Sequence, residues 1–284
     1  MSAISTVTLR TFDGLHLVGT LVTPEGLPEH AIVFVHGGGV TRDEAGFFTR
    51  MAGGLADADI ASLRFDLRGH GESEGRQEDL TLSAILNDIH IALDHVREAT
   101  KAQTVSLLGA SFSGGICAYF AARGPVPLHR LVLINPLLNY KKRFIDDKLY
   151  WQDDRINAEA AAELEAQGYL AHSPSFKLGR PLLNEVRWLQ PLAVLGDVQV
   201  PTLIVHGTED TFIPVESSRA AAAQLQVEHE LIEIDGAQHG IAAPDDPTYA
   251  TPQSQTWQAF TIGLVADWVN DSTTGPGKSL LEGY

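Results

Sequence analysis

Three side chains that together could form an activated nucleophile each follow an apolar segment of the chain. Ser111 stands in the string Gly-Ala-Ser-Phe-Ser-Gly, after the apolar run 105–108 and before a helix-compatible segment. Asp210 and His239 each lie in the loop after a later apolar run. A serine hydroxyl is a weak nucleophile at neutral pH, so it needs a base within hydrogen-bond reach and a third group that orients the base. The three residues therefore predict nucleophilic catalysis, with Ser111 as nucleophile, His239 as base and Asp210 as orienting acid.

The turn at Ser111 has the features of a nucleophile elbow. Such an elbow holds a hydroxyl at the end of a strand on a very tight turn, so its neighbours must be small. Gly109 stands two residues before Ser111, as expected, but Ser113 stands two residues after it, where the usual pattern has glycine. Taken alone, the string is also compatible with an ordinary turn between a strand and a helix.

Apolar runs that alternate with helical segments must position these side chains. Continuous apolar runs are typical of strands buried on both faces, and they lie at 31–35, 60–67, 105–108, 131–134, 202–205 and 230–234. The spacing of apolar residues predicts helices over 44–57, 81–98, 215–226 and 254–269. This alternation predicts an α/β fold with a mostly parallel, doubly wound sheet, and Asp13-Gly14 predicts a hairpin at an antiparallel edge. In open sheets of this kind, sites lie at the carboxyl ends of the strands, where the three candidate residues are placed.

Residues 137–196 interrupt the alternation of strands and helices. About 60 residues separate two strands that should be one crossover apart, which is far beyond an ordinary loop. The segment is rich in aromatic residues, unlike a linker, and we interpret it as an inserted cap on a core formed by 1–136 and 197–270. The remaining residues, 271–284, have no core-forming pattern and are predicted to be disordered.

Aromatic residues of the predicted cap are the candidates for contact with a substrate. The cap follows a strand that comes directly after the elbow helix, and consecutive elements tend to be neighbours in space. Ligand sites are mostly apolar with a few polar groups. We therefore expect at least one of four residues to face Ser111: Tyr140, Tyr150, Trp151 and Trp188. The alternative is that these side chains only hold the cap together.

Composition and charge exclude several kinds of partner. The chain has 284 residues, 44% of them hydrophobic, and a formal charge of -16, so it repels nucleic acid and anionic membranes. Its single cysteine, Cys117, excludes an intramolecular disulfide and is compatible with a reducing compartment. There is neither a signal-peptide pattern nor an apolar run approaching ~20 residues, so we expect a cytoplasmic protein. Since there is no cysteine/histidine cluster, we expect neither a metal site nor a cofactor.

A basic run, Lys141-Lys142-Arg143, opens the predicted cap. Such a run usually lies on a solvated surface, but it could also attract an anionic substrate group or an acidic carrier protein. The expected partner is a small-molecule acyl substrate, free or carrier-bound. The sequence does not predict an oligomeric state.

The chain resembles the α/β-hydrolases of the serine-esterase and monoacylglycerol-lipase-like group. The resemblance rests on strings in the expected order: His-Gly at 36–37, Asp-Leu-Arg-Gly-His-Gly-Glu-Ser at 66–73, the elbow at 109–114, His-Gly-x-x-Asp at 206–210 and Gly-x-x-His-Gly at 236–240. It extends from the first strands to about residue 270 and is weakest over 137–196. The chain departs from the pattern at Ser113 and in the triple glycine after His36, which resembles the loop of another esterase branch.

The resemblance implies an α/β-hydrolase fold and an oxyanion hole formed by the backbone N–H groups of Phe112 and Gly38. It also implies a cofactor-independent serine hydrolase that cleaves an ester or thioester through an acyl-enzyme on Ser111. Two alternatives stay open. The same triad could transfer the acyl group or eliminate a small carboxylic acid from an acylated intermediate. The chain could also be a non-catalytic ligand-binding protein on the same fold, although an intact triad argues against this alternative.

Overall fold

An eight-stranded sheet forms the centre of the computed structural model, which describes residues 2–271. Beyond Asp271, the tail predicted for 271–284 lies outside the described residues. Numbered along the chain, the strands of this sheet and of two small hairpins are β1 (Ala3–Arg10), β2 (His16–Thr23), β3 (His30–Val35), β4 (Ile60–Phe65), β5 (Thr104–Ala110), β6 (Leu131–Ile134), β7 (Trp151–Gln152), β8 (Arg155–Ile156), β9 (Tyr169–Ser173), β10 (Phe176–Gly179), β11 (Thr202–Gly207) and β12 (His229–Ile234).

The α-helices lie close to the segments predicted from apolar spacing. They are α1 (Phe47–Asp57), α2 (Leu82–Thr100), α3 (Phe112–Arg123), α4 (Ala158–Gln167), α5 (Arg180–Glu185), α6 (Val215–Ala222) and α7 (Pro252–Asn270). Local sequence explains where the long ones begin: the side chain of Thr81 caps α2 and that of Thr251 caps α7, each by accepting a backbone N–H of the first turn. Within 2–271, none of these helices has the length and apolar character needed to cross a bilayer.

The strand order of the main sheet is β1-β2-β4-β3-β5-β6-β11-β12. β2 pairs antiparallel with both β1 and β4, and every pairing from β4 to β12 is parallel. The antiparallel edge is the hairpin predicted at Asp13-Gly14. The α/β-hydrolase fold class, with a mostly parallel sheet and helices on both faces, is confirmed.

Helices cover both faces of the sheet because its central strands are apolar on both sides. In β3, Ile32 and Phe34 pack into the cluster that contains α1 and α7, while Val33 and Val35 pack into the cluster that contains α2 and α3. This alternation follows from the two-residue period of a strand. The result is a rigid sheet whose carboxyl edge carries the loops after β3, β5, β6, β11 and β12.

The segment 137–196 contains two small antiparallel hairpins, β7–β8 and β9–β10, together with α4 and α5. Its buried side chains, among them Phe144, Leu164 and Leu178, belong to the same hydrophobic cluster as α2 and α3. The segment thus shares the core of the sheet. Its division from the core as a functional cap stays a prediction.

Candidate active site

Ser111, His239 and Asp210 meet at the carboxyl edge of the sheet. Nε2 of His239 lies 2.9 Å from Oγ of Ser111, and Nδ1 of His239 lies 2.7 Å from Oδ2 of Asp210. A carboxylate can only accept hydrogen bonds, so Nδ1 carries the proton and Nε2 is free to accept the proton of Ser111. The structure thus brings together the three residues that the sequence predicted as a catalytic group.

The backbone at Ser111 is held in a rarely populated conformation. Its φ is 51° and its ψ is -120°, between the end of β5 and the first residue of α3. Two hydrogen bonds to the next strand and its loop fix the turn: the Ser111 N–H donates to Ile134 O at 2.9 Å, and the Leu137 N–H donates to Ser111 O at 2.8 Å. Gly109 is required here because a Cβ at that position would lie 2.7 Å from both Cys117 Sγ and the Ser113 carbonyl oxygen. Strain retained by surrounding contacts is typical of functional positions.

Asp210 is buried and saturated with hydrogen bonds. Its Oδ1 accepts the backbone N–H groups of Phe212 and Ile213 at 2.8 and 2.9 Å, and its Oδ2 accepts from Asn135 Nδ2 at 2.6 Å as well as from His239. Burial acts to raise the pKa of Asp210, but His206, His239 and Asn135 outweigh it and hold the pKa well below its usual value. The acid therefore stays ionised and keeps the imidazole of His239 oriented.

Asn135 is a part of this site that the sequence reasoning missed. It directly follows β6, and its φ is 43°. Its amide ties the carboxylate of Asp210 to the strand next to the nucleophile's strand. A polar residue at the carboxyl end of a central strand was the signal that could have identified it.

Gly38 and Phe112, whose backbone N–H groups are the predicted oxyanion donors, both line the cavity around Ser111. Phe112 is the first residue of α3, where an N–H group has no partner within the helix. Among described residues, neither N–H has an acceptor, whereas the neighbouring Gly37 N–H donates to Glu44 Oε1 and the Gly39 N–H donates to His70 Nε2. Two unpaired donors beside a serine hydroxyl form an arrangement suited to an oxyanion.

Ser113 supports the loop that carries Gly38. Its side chain is fully buried, and its hydroxyl donates to the carbonyl of His36 at 2.5 Å. His36 is buried as well; its ring accepts the Leu67 N–H at Nε2 (2.9 Å), and its Nδ1 lies 2.7 Å from the Gly37 carbonyl. The departure from glycine at position 113 thus corresponds to a hydrogen bond between the elbow helix and the loop after β3.

Glu44 is a second residue of the site that sequence reasoning missed, because it was counted as the start of a helix. It lies in a 3-10 turn that precedes α1. A Cβ built on Gly37 would be 3.2 Å from both Glu44 Oε1 and Ser111 Cβ, so the carboxyl group lies directly behind the loop at the nucleophile. Burial raises the pKa of Glu44, although the Gly37 N–H and His239 partly oppose that effect. The residue is a hydrogen-bond anchor for the loop.

A cavity of about 250 Å³ opens in front of Ser111. Its core side is formed by Gly38, Phe112 and His239, with Phe212 beside the imidazole at a ring distance of 5.3 Å. The opposite side comes from the segment 137–196, whose lining residues are Leu137, Arg143, Phe144, Lys148, His172, Ser173 and Phe176. Phe176 packs so closely on the loop after β3 that a Cβ on Gly38 would lie 2.7 Å from its ring.

The four aromatic residues chosen from the sequence are not in that lining, and this expectation is corrected. Tyr140 is fully buried beneath the elbow and donates to the Phe112 carbonyl at 2.6 Å. Trp188 is 84% exposed. Tyr150 and Trp151 pack against the core cluster, and the guanidinium of Arg187 lies 5.0 Å from the Trp151 ring centre. Tyr140, Tyr150 and Trp151 thus pack within the protein, which was the alternative weighed for these residues, and Trp188 lies on the surface.

Comparison with known proteins identifies the group of enzymes that this chain resembles. The family described as "Serine aminopeptidase, S33" matches residues 26–153, a stretch that includes Ser111. The non-heme chloroperoxidase CPO-A1 of Kitasatospora aureofaciens is 25% identical over 245 residues, covering 74% of this chain and 85% of that protein. Monoglyceride lipase of Homo sapiens is 32% identical over 133 residues, covering 44% of this chain and 41% of that protein.

A solved structure shares the fold over almost the whole described chain. Est1E from Butyrivibrio proteoclasticus, with ferulic acid bound, has a TM-score of 0.71 at 22% identity and covers 92% of this chain and 99% of that one. Because the identity is low, this similarity concerns the fold. The matched family and the lipase relative agree with the resemblance inferred from sequence: the chain is an α/β-hydrolase enzyme that resembles the serine esterases.

Proposed function

We propose that this enzyme hydrolyses a carboxylic ester or thioester through an acyl-enzyme on Ser111. The observation that carries the proposal is the continuous hydrogen-bonded series Ser111–His239–Asp210, with distances of 2.9 and 2.7 Å, at the end of the cavity. These are the distances at which a base can take the proton of a nucleophile. The esterase-type relatives agree with this reaction class.

In the first half of the reaction, Oγ of Ser111 attacks the substrate carbonyl carbon while its proton passes to Nε2 of His239. The charge that develops on the carbonyl oxygen is stabilised by the N–H groups of Phe112 and Gly38, and each such donor can contribute about 3 kcal/mol. The tetrahedral intermediate then collapses. The bond to the alcohol or thiol breaks, and His239 returns its proton to that leaving group.

In the second half, water attacks the acyl group on Ser111. His239 takes a proton from the water, the second tetrahedral intermediate forms against the same N–H groups, and the carboxylic acid leaves as Oγ regains its proton. Asp210 remains ionised throughout because its four hydrogen bonds favour the charged form. All proton transfers are thus carried out by the side chains of this chain.

We further propose that the segment 137–196 acts as a cap that selects the substrate. It supplies seven of the residues that line the cavity, while the triad and the two N–H groups belong to loops of the sheet. The cap should therefore influence which ester fits, and the core loops should determine whether a small activated ester reacts at all.

A mass spectrum of the intact protein tests the reaction class. The protein is mixed with a panel of p-nitrophenyl esters and thioesters and quenched at short times, with Ser111→Ala as the control. We expect a transient mass increase equal to the acyl group in the wild type, none in the control, and one heavy oxygen in the acid released in H2 18O. An acyl group that leaves only when an alcohol, amine or thiol acceptor is added would instead indicate acyl transfer. An absence of acylation across the panel would favour a binding protein.

A further inference from the structure

The cap side of the cavity carries two half-buried cations that form no ion pair with any residue of the described range 2–271. Arg143 and Lys148 both line the cavity, and no described carboxylate lies within 4.0 Å of either charge. Lys141 and Lys142, from the same basic run, are instead paired with Asp146 and Asp147 at 2.6 and 2.5 Å. Only one cation of the run thus faces the cavity, and it joins Lys148 there.

The two cations affect each other and the histidine beside them. Burial, and then the charge of Arg143, lowers the pKa of Lys148. Burial, followed by the charges of Lys148 and Arg143, lowers the pKa of His172 to about 4. Asp147, the acid that favours the charged form of Lys148, is already held by Lys142. Arg143 and Lys148 thus lack an ion-pair partner among the described residues, while Glu44, the acid that lines the same cavity, accepts the Gly37 N–H.

His172 is the neutral polar group of this wall. Its Nδ1 is buried and has no hydrogen-bond partner among the described residues. Its ring lies 5.1 Å from the ring of Phe144, which lies 6.1 Å from the ring of Phe112, the residue after the nucleophile. Phe144 thus lies between the ring of His172 and the residue that follows the nucleophile.

We propose that Arg143, Lys148 and His172 form a subsite for a carboxylate on the acyl part of the substrate. The inference rests on the proposed function and narrows it to monoesters or monothioesters of dicarboxylic acids. Arginine can bind a carboxylate through two parallel N–H bonds, and lysine adds a point charge. Phe144 and Phe176 line the path between this wall and Ser111, which suits the methylene groups of such an acid.

The leaving group has a separate place. A second groove, of about 430 Å³, adjoins the cavity on the side of the loop after β11. Its lining includes the apolar residues Leu137, Phe212, Ile213 and Pro214 and the charged residues Lys142, Arg143 and Asp147. Arg143 lines both spaces, together with Leu137, Phe212 and Ile213, whereas Lys148 and His172 line the cavity and not the groove. An alcohol or thiol can therefore leave through the groove while the carboxylate stays near Lys148 and His172, and for this reason the anion is assigned to the acyl side.

Matched esters test this subsite by kcat/KM. p-Nitrophenyl hydrogen adipate and p-nitrophenyl methyl adipate differ in one charge on the acyl chain, and 4-acetoxybenzoate and its methyl ester place the same difference on the leaving group. Since charge-assisted hydrogen bonds carry the discrimination, we expect the wild type to favour the anionic adipate ester by about tenfold or more. A preference for the neutral adipate, or a preference only within the acetoxybenzoate pair, would overturn the assignment.

Three variants locate the effect. Arg143→Met and Lys148→Met remove the charges with little change in length, and each should lower the ratio of kcat/KM for the anionic adipate ester to that for the neutral one by about tenfold. Lys141→Met removes a neighbouring charge that does not line the cavity, and it should leave the preference within about twofold. An unchanged preference in both cavity variants, or an equal loss with both esters, would contradict a carboxylate subsite.

A binding measurement separates this inference from the proposed reaction. Ser111→Ala protein is titrated calorimetrically with methyl hydrogen adipate and, as the uncharged control, with dimethyl adipate. We expect only the anion to bind, and its affinity to fall by about tenfold when Arg143→Met is added. If Ser111→Ala binds the anion in this way but the wild-type protein hydrolyses no ester, the subsite is supported and the proposed hydrolase activity is refuted. Acylation of Ser111 by neutral esters without anion binding would refute the subsite alone.

Discussion

Removal of the hydroxyl of Ser113 tests whether the elbow helix supports the oxyanion loop. The hydroxyl donates to the carbonyl of His36 at 2.5 Å, and both residues are fully buried. A carbonyl left without this donor cannot turn to water, so Ser113→Ala should lower the free energy of unfolding by about 1–3 kcal/mol. Ser113→Gly should lower the free energy of unfolding by roughly 0.5–1 kcal/mol more than Ser113→Ala does, because glycine is less favourable than alanine within a helix and the residue lies in the first turn of α3.

The effect on catalysis should be smaller than the effect on stability. The His36 carbonyl is followed by Gly37 and Gly38, but the Gly37 N–H is also held by Glu44, and the His36 ring is held by the Leu67 N–H. Complete loss of one oxyanion donor costs about 3 kcal/mol, or 10²–10³ in kcat. With two anchors left, we expect Ser113→Ala and Ser113→Gly to lose less than about tenfold in kcat/KM.

Urea unfolding followed by tryptophan fluorescence and hydrolysis of a small activated ester are the two assays. Ser113→Thr keeps the hydroxyl and serves as the control for added volume. Ser113→Val adds volume to a filled site and removes the donor, so it should give little folded protein. An unfolding free energy for Ser113→Ala equal to that of the wild type would refute the structural role. Near-complete loss of activity in a well-folded Ser113→Gly variant would reveal a catalytic role for the hydroxyl.

Three further substitutions address the acid, the loop anchor and the acid stability of the fold. Asp210→Asn should lower kcat by about 10³–10⁴ because it disturbs the tautomer of His239. Glu209→Gln, a change at the exposed neighbouring acid, should alter kcat less than about twofold in the same assay. A larger loss in Glu209→Gln than in Asp210→Asn would show that the wrong acid was assigned. The side chain of Glu44→Gln can still accept the Gly37 N–H, so its kcat should stay within about threefold of the wild-type value. Glu44→Ala removes the acceptor, and its kcat should fall by more than about tenfold. Equal losses of kcat in the two variants would point to a role for the charge. Burial is the main cause that lowers the pKa of His36 from 6.5 to about 3. Below pH 6.5, His36 therefore binds a proton in the unfolded chain but stays neutral in the folded chain. This residue should therefore remove about 2 kcal/mol of stability between pH 6.5 and 4.5. In urea titrations at pH 7 and 4.5 the decline in stability should be shallower for His36→Gln, and an identical decline would contradict the burial of a neutral ring.

The parts of the structure that could be predicted from sequence are those with a local signal. Continuous apolar runs marked the buried strands, and the loops at the ends of β5, β11 and β12 carried Ser111, Asp210 and His239. A parallel sheet brings such loops to one edge whatever the details of packing. The fold class and the resemblance to esterase-type enzymes followed from this regularity.

The lining of the cavity could not be predicted in the same way, because it depends on which partner each side chain finds. Tyr140 was a reasonable candidate by residue type, yet its hydroxyl satisfies the Phe112 carbonyl inside the protein. Arg143 was recognised only as part of a basic run, and the pairing of its two neighbours with nearby acids leaves it as the cation that faces the cavity. The spacing of residues in the sequence does not indicate which of three adjacent basic residues will face the cavity.

The anchors of the site were missed for a related reason. Glu44 lies where the helical pattern begins, and its contact with the Gly37 N–H depends on a 3-10 turn before α1. Asn135 donates to Asp210 across a separation of 75 residues. Contacts of this range are set by the tertiary arrangement and leave no periodic signal in the chain.

Labelling with a fluorophosphonate probe, followed by peptide mapping, tests the central claim most directly. The probe phosphonylates a serine whose proton is removed by a neighbouring base, so it reports the nucleophile without knowledge of the substrate. We predict labelling of Ser111 alone, with none in Ser111→Ala and a strongly reduced rate in His239→Ala. Labelling of Ser113 or Ser73, or undiminished labelling of the Ser111→Ala protein, would contradict the account.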